Sequence, residues 1–207
     1  YYEIIAEAVN DVTESSFNLE FIGPEEAKKS ASQTKEIPQK REAKYFERAK
    51  LNTKLTFDNF VVGSFNREAS QASLLIARNP GKTFNPLFVF GPTGVGKTHL
   101  IQAIGIRIKE KDPQSRVLYV TARLFESQYT AAVARGKINE FINFYQSIDT
   151  LIIDDIQDLI GKQRTQNTFF HIFNHLHQNQ KQLILSSDCC PSQMEGMEAR
   201  LLSRFKW

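Results

Sequence analysis

The chain has 207 residues and a formal net charge of +3, and 41% of its residues are hydrophobic, among them 16 phenylalanines. This composition indicates a globular chain with enough apolar material for one sizeable α/β domain plus appendages. No apolar stretch approaches the roughly 18 residues of a membrane-spanning helix. The small positive charge fits a nucleic-acid partner, and it fits an ordinary soluble surface nearly as well.

Two cysteines, Cys189 and Cys190, are adjacent in the sequence, so a disulfide between them would be strained. We expect reduced thiols in a turn and a cytoplasmic protein. Because the sequence begins without Met and without a basic leader, we also expect its true N-terminus to lie upstream.

The first 54 residues differ in composition from the rest. Residues 1–22 combine a helical spacing of apolar residues with a short alternating stretch, and they are too few to fold alone. Residues 23–54 are rich in Lys, Glu, Gln, Ser and Ala, which is typical of a flexible linker.

From residue 55 onward, short apolar runs alternate with amphipathic stretches. The runs lie at 87–90, 117–120, 151–153 and 183–186, and this alternation predicts an α/β fold with a parallel sheet covered by helices on both faces. A helix near 166–178 should bury Phe169, Phe170, Phe173 and Leu176. Two further helices, at 124–134 and 138–145, form an insertion between the second and third strands.

A phosphate-binding loop of the pattern G-x-x-x-x-G-K-[ST] follows the first strand. It consists of Gly91, Pro92, Thr93, Gly94, Val95, Gly96, Lys97 and Thr98. Glycines let the backbone N–H groups point at phosphate oxygens, and the helix that follows directs its positive end to the same place. We expect Lys97 to reach the outer phosphates of ATP or ADP and the Thr98 hydroxyl to bind Mg²⁺.

The third strand ends in a pair of acids, Asp154 and Asp155. We expect Asp154 to hold Mg²⁺ through its water shell and Asp155 to polarise an attacking water. Many related ATPases have Glu at the second position, and the shorter Asp predicts slow hydrolysis. Asp188 follows the fourth strand, where it could sense the γ-phosphate or simply form a turn.

Arg200 and Arg204 are four residues apart and so share one helical face. An arginine there could complete the site of a neighbouring subunit, and two solvated surface arginines are the alternative.

These motifs together resemble the AAA+ domain of the bacterial DnaA replication initiators. The resemblance covers residues 55–207 and rests on segments 57–63, 85–88, 96–100, 151–157, 169–171 and 203–205. Residues 1–22 resemble the end of the family's small N-terminal interaction domain, and residues 23–54 resemble its variable linker.

The resemblance implies an ATP/ADP switch with weak ATPase activity. ATP-bound subunits would form a homo-oligomer on the chromosomal origin and promote unwinding, and slow hydrolysis would reset the switch. Residues 57–63, including Val61 and Val62, would line the adenine pocket. His99 is included in the predicted nucleotide site, with a packed helix residue as the alternative.

The resemblance also assigns roles at subunit and DNA contacts. Arg204 would reach the γ-phosphate of the next subunit and Arg200 would support that contact. Arg164 and Thr130 fall where the family's central channel grips single-stranded DNA.

The family has further parts that this sequence lacks, namely a last strand, a helical lid and a C-terminal domain that reads duplex origin DNA. We therefore expect a domain that is incomplete at its C-terminus. The family also implies contacts with acidic phospholipids and with a helicase. The alternative function is a helicase loader or regulatory AAA+ paralogue that acts through protein contacts, and the predicted insertion argues against it.

Overall fold

The computed structural model describes residues 51–206, so the predictions for residues 1–22 and for most of the linker lie outside the described part. The order of elements within that part is α1 (Arg67–Arg78), β1 (Leu87–Phe90), α2 (Lys97–Lys111), β2 (Val117–Thr121), α3 (Ala122–Ala134), α4 (Ile138–Gln146), β3 (Thr150–Asp154), α5 (Gln163–Gln178), β4 (Gln182–Ser187) and α6 (Ala199–Phe205). Short 3₁₀ helices occur at Ile156–Leu159 and Pro191–Gln193.

The four described strands form one parallel sheet in the order β1-β4-β3-β2. Ile152 of β3 lies opposite Tyr119 of β2 and Ile184 of β4. The predicted strands are confirmed, each with its boundaries displaced by no more than one residue.

Helices cover both faces of the sheet because successive strand residues point to opposite sides. Ile152 packs in a cluster that includes Ile101 and Ile104 of α2, whereas Leu151 and Ile153 pack in a larger cluster with residues of α3 to α6. The predicted α/β fold is therefore confirmed.

Residues at the start of the described segment contact the domain. Leu51 packs against the cluster under α2, and the Asn52 N–H donates to Gln102 Oε1 at 2.8 Å. A Cβ added at Gly105 would lie 2.8 Å from Ile152 Cδ1 and 2.9 Å from a Leu51 methyl group. The glycine thus lets α2 approach both the sheet and this segment closely.

The predicted insertion is confirmed as helices α3 and α4. An aromatic cluster fixes it to the domain, with Phe125 in edge contact with Phe141, Tyr145 and Phe169 at centroid distances of 5.2, 4.8 and 5.7 Å. The Tyr145 hydroxyl donates to Gln128 Oε1 at 2.6 Å in the same buried region.

Helix α6 packs against α5, and its Leu201 and Phe205 join the same buried cluster. Phe169, Phe173 and Leu176 are fully buried as predicted. The prediction that Phe170 is buried was wrong, since this ring is only half-buried and contacts side chains of α6. Periodicity identifies the apolar face of a helix, but not which ring of that face lies at its edge.

Gln166 fastens the segment that leads into α6. Its side chain is fully buried, and its Nε2 donates to the carbonyls of Leu159 at 2.8 Å and Gly196 at 3.1 Å. Its Oε1 accepts from the Glu198 N–H at 2.7 Å. These hydrogen bonds all go to backbone groups, so this side chain links α5 to the 3₁₀ helix that ends at Leu159 and to the segment before α6.

Candidate functional site

The loop between β1 and α2 has the backbone of a phosphate cradle. Gly94 and Gly96 have φ angles of 89° and 92°, values that side chains disfavour. Helix α2 begins at Lys97, so its unpaired first N–H groups and its positive dipole end face this loop.

Lys97 is held inside the loop and is only 8% exposed. Its Nζ donates to the carbonyls of Gly91 at 2.7 Å and Pro92 at 3.0 Å, and to Asp188 Oδ1 at 2.7 Å. Asp188 thus lies beside the phosphate loop as predicted, but its carboxylate contacts the Lys97 ammonium. A carboxylate at this position can orient the cation more readily than it can approach a phosphate, because two anions repel each other.

Asp154 lies at the centre of a hydrogen-bond network and is 2% exposed. Its Oδ2 accepts from Thr98 Oγ1 and from the Tyr119 hydroxyl, both at 2.8 Å, and its Oδ1 accepts from Ser186 Oγ. Burial, followed by the negative charge of Asp154, raises the pKa of Tyr119 well above its usual range, so this hydroxyl stays a donor.

The sequence analysis assigned no role to Tyr119 or Ser186. The strand register explains the role of Tyr119, because this residue lies two positions before Thr121, which pairs with Asp154 across the parallel strands. Residues two apart in a strand share a face, so Tyr119 lies on the face that carries Asp154.

The oxygen atoms at this point fit a magnesium ion. The Thr98 hydroxyl and the Asp154 carboxylate are hard oxygen donors of the kind Mg²⁺ prefers, and they meet beside the phosphate loop.

Asp155 has a left-handed backbone, with φ 57° and ψ 51°. Its N–H donates to Ser186 Oγ at 3.0 Å, and its Oδ1 accepts from Gln157 Nε2 at 3.4 Å. Burial, followed by the charge of Asp154, raises the pKa of Asp155. A carboxylate with a raised pKa is a better proton acceptor than an ordinary one.

A cavity of about 410 Å³ adjoins the phosphate loop. One side is the loop itself, and the other is formed mainly by Phe60, Phe65, Asn66, Ala69, Val89, Phe90 and Leu100. An apolar compartment continuous with a phosphate cradle has the shape and chemistry that a nucleoside requires. Phe65, Asn66 and Ala69 were not predicted here, because they approach the loop only through the placement of α1.

The predicted adenine contacts have a more peripheral position. Val61 and Val62 are 84% and 52% exposed and do not line the cavity. His99 Nε2 lies 2.8 Å from the Thr56 carbonyl, and its ring meets the edge of Phe60 at 5.2 Å. His99 therefore supports a cavity-lining ring, and direct nucleotide contacts by these three residues stay predictions.

Arg200 and Arg204 project from α6 onto α5. The Arg200 Nε donates to Glu198 Oε2 at 2.5 Å, and the Arg204 Nε donates to Asn174 Oδ1 at 2.6 Å. Both guanidinium groups also lie close to the Phe170 ring. Both side chains are therefore partly buried against α5, and their contact with a neighbouring subunit stays a prediction.

A second groove, of about 350 Å³, brings Thr130 and Arg164 together. Its other lining residues are Tyr129, Val133, Lys162, Gln163 and Thr165. Lys162, which the sequence analysis did not single out, adds a second cation and pairs with Glu126 Oε1 at 3.0 Å. Two cations and an aromatic ring in one groove suit the backbone and bases of a single strand.

Among residues 51–206, no helix is both long enough and apolar enough to cross a bilayer. The same residues include no group of three or more His, Cys, Asp or Glu side chains that could form a metal centre.

Comparison with known proteins gives one consistent result. Residues 51–207 match the family described as the bacterial DnaA ATPase domain. The chromosomal replication initiator protein DnaA of Bacteroides fragilis (strain YCH46) is 60% identical over 158 residues, which are 76% of this chain and 33% of that protein. The chain therefore spans about one third of the length of this curated relative.

Solved structures agree with this match. A replication initiator DnaA bound to AMPPCP and single-stranded DNA is 46% identical, with a TM-score of 0.73 over 75% of this chain and 48% of that one. Domain III of the Thermotoga maritima replication initiation protein DnaA is 44% identical, with a TM-score of 0.74 over 76% of this chain and 65% of that one.

Proposed function

Because the chain belongs to the bacterial DnaA ATPase-domain family, we propose that it is the nucleotide switch of a chromosomal replication initiator. In its ATP form the protein assembles into a homo-oligomer on origin DNA and promotes unwinding, and slow hydrolysis to ADP resets it. The observation that carries this proposal is the meeting of Thr98 and Asp154 at 2.8 Å beside the glycine-rich loop and Lys97.

The nucleotide occupies the 410 Å³ cavity, with its base among the apolar residues and its phosphates in the loop. Lys97 supplies a positive charge to the outer phosphates, and Asp188 keeps that ammonium in place. Thr98 and Asp154 would hold Mg²⁺, which supplies further neutralisation of phosphate charge.

Asp155 accepts a proton from the water that attacks the γ-phosphate. Its raised pKa favours proton transfer, but its short side chain limits its reach, so turnover is slow. A slow ATPase is what a switch requires, because the ATP form must persist long enough to assemble.

Assembly depends on α6. Arg204 reaches the γ-phosphate of the neighbouring subunit and Arg200 supports it, so this additional positive charge reaches the triphosphate only when the subunits associate. In the oligomer, Arg164 and Thr130 of each subunit contact single-stranded DNA through the groove between α3 and α5.

The remaining elements of the proposal come from the family alone. They are the cytoplasmic location, the contacts with acidic phospholipids and a helicase, the interaction-domain and linker roles of residues 1–22 and 23–54, and a further domain for duplex origin DNA. The helicase-loader alternative is not favoured, since the two insertion helices are present and the closely related proteins are initiators.

The test compares self-association of the intact protein on single-stranded DNA with ATP and with ADP. We expect the wild-type protein to assemble with ATP only. Arg204→Ala should bind ATP yet stay dispersed, and Lys97→Ala should lose ATP binding. Arg78→Ala removes an exposed arginine of α1 and should behave like wild type.

Two results would contradict the proposal. Assembly of Arg204→Ala at the wild-type level would remove the role of α6 in association. ATP binding that is unaffected by Lys97→Ala would remove the nucleotide site itself.

A further inference from the structure

One face of α5 is shaped to receive the two arginines of α6. Asn167, Phe170 and Asn174 are three and four residues apart, so they form one stripe along the helix. Each of the three contacts Arg200 or Arg204.

The two arginines contact the ring and the two asparagines in different ways. The Arg200 Cζ lies 4.2 Å and the Arg204 Cζ 4.6 Å from the centroid of the Phe170 ring, both well within the range of cation–π attraction. Asn167 Oδ1 accepts from Arg200 at one end of the stripe, and Asn174 Oδ1 accepts from the Arg204 Nε at the other.

Without partners on α5, fixing two long cationic side chains four residues apart would cost free energy. Like charges at this spacing repel on a helix, and each arginine loses considerable rotamer freedom when it is fixed. The stripe on α5 is uncharged throughout, so it orients the guanidinium groups without cancelling their charge. Glu198 pairs with the Arg200 Nε at 2.5 Å.

We propose that the stripe Asn167, Phe170 and Asn174 is a positioning platform that holds Arg200 and Arg204 in the geometry needed for the contact with a neighbouring subunit, with Phe170 as its central residue. This inference rests on the proposed function of Arg204. Phe170 acts through the arginines and touches no nucleotide.

The platform explains why a large apolar ring is left half-exposed at the edge of α5. A ring buried among other apolar groups could not offer its face to two cations. A group fixed before binding loses less entropy when the complex forms, so a preordered arginine pair makes association tighter without any new contact across the interface.

The first experiment measures ATP-dependent assembly of the intact protein carrying Phe170→Leu. Leucine keeps the apolar contact and removes the π face, and we expect assembly to weaken by about 5- to 30-fold. Phe170→Tyr keeps the face and should restore most of the wild-type level. Phe84→Leu, which alters an exposed ring far from α6 in the sequence, is the matched control and should change nothing.

Nucleotide affinity of unassembled subunits distinguishes positioning from general damage. It should be unchanged in Phe170→Leu, because the ring does not line the nucleotide cavity. If Phe170→Leu does not fold, Asn174→Ala provides the same test from the other end of the stripe, with a smaller expected loss of about 3- to 10-fold.

A second measurement does not depend on assembly. The ring current of Phe170 should shift the NMR resonances of the Arg204 side chain, and Phe170→Leu should abolish that shift in unassembled subunits. Normal assembly by Arg204→Ala would overturn the proposed function, and the resonance shift would then decide by itself whether Phe170 orients the arginine. Normal assembly by Phe170→Leu, with Arg204→Ala dispersed, would overturn the platform alone, as would an equal loss of nucleotide affinity.

Discussion

Replacing Tyr119 by phenylalanine removes one hydroxyl from the network around Asp154 and leaves the ring in place. A hydrogen bond to a charged group contributes about 1.5–3 kcal/mol to stability. Asp154 keeps donors from Thr98 and Ser186, and Tyr119 is only partly buried, so we expect a loss at or below the lower end of this range, about 1–2 kcal/mol. For a domain of this size that loss corresponds to a decrease in Tm of about 2–8 °C.

The same substitution should weaken the response to magnesium. Without the Tyr119 hydroxyl, Asp154 Oδ2 keeps only the Thr98 hydroxyl among its described donors, and Thr98 is itself an expected ligand. The carboxylate then loses orientation, and the Mg²⁺ concentration for half-maximal ATP binding should rise by about 3- to 10-fold. Denaturant unfolding and ATP-binding titrations at several Mg²⁺ concentrations measure the two effects.

Tyr145→Phe is the matched control. It also removes a tyrosine hydroxyl, in this case one that donates to Gln128 in the aromatic cluster under the insertion. We expect a comparable loss of stability, about 1–3 kcal/mol, because the buried Gln128 oxygen loses its partner, and no change in the response to Mg²⁺. If both variants respond to Mg²⁺ alike, the reasoning about Tyr119 is wrong.

Three further predictions concern charge, backbone and DNA. Asp155→Asn should abolish hydrolysis and stabilise the fold at neutral pH, because burial and nearby acids disfavour the ionised form, and the gain over wild type should disappear as the pH falls toward about 4 in denaturant unfolding. Gly81→Ala should cost about 2–5 kcal/mol, since its φ is +78° and its Cβ would lie 2.0 Å from the Gln180 carbonyl oxygen, whereas Gly136→Ala, with φ +67° and open space, should cost about 1–2 kcal/mol in the same assay. Arg164→Ala in the intact protein should reduce the slope of log K against log salt for single-stranded DNA by about 0.7, and an unchanged slope would exclude a phosphate contact.

Local patterns were sufficient for the main elements of this molecule. The four strands are short buried runs, and the phosphate loop is a contiguous motif whose glycines, lysine and threonine all belong to one turn. Asp154 and Asp155 could be placed at the same edge of the sheet as the phosphate loop because the carboxyl ends of parallel strands meet there. Each of these inferences needed only neighbouring residues and the direction of the strands.

Local sequence patterns could not predict contacts between residues that are distant in the sequence. Tyr119 and Ser186 reach Asp154 from two different strands, so their roles depend on the order and register of the sheet. Asn66 enters the wall of the nucleotide cavity through the placement of α1. Phe170 was assigned to the core because its spacing fits that face, and only the position of α6 shows that it receives arginines.

Because β4 lies between β1 and β3, nucleotide binding reports whether this strand is correctly paired. Ser186 lies at the end of this strand and Asp188 directly follows it; the first contacts Asp154 and the second contacts Lys97. A shift of one residue in the register of β4 would move both side chains to the opposite face of the sheet, away from Asp154 and Lys97. Retention on an immobilised nucleotide should therefore separate correctly folded molecules in a refolded sample from molecules in which β4 has paired in the wrong register.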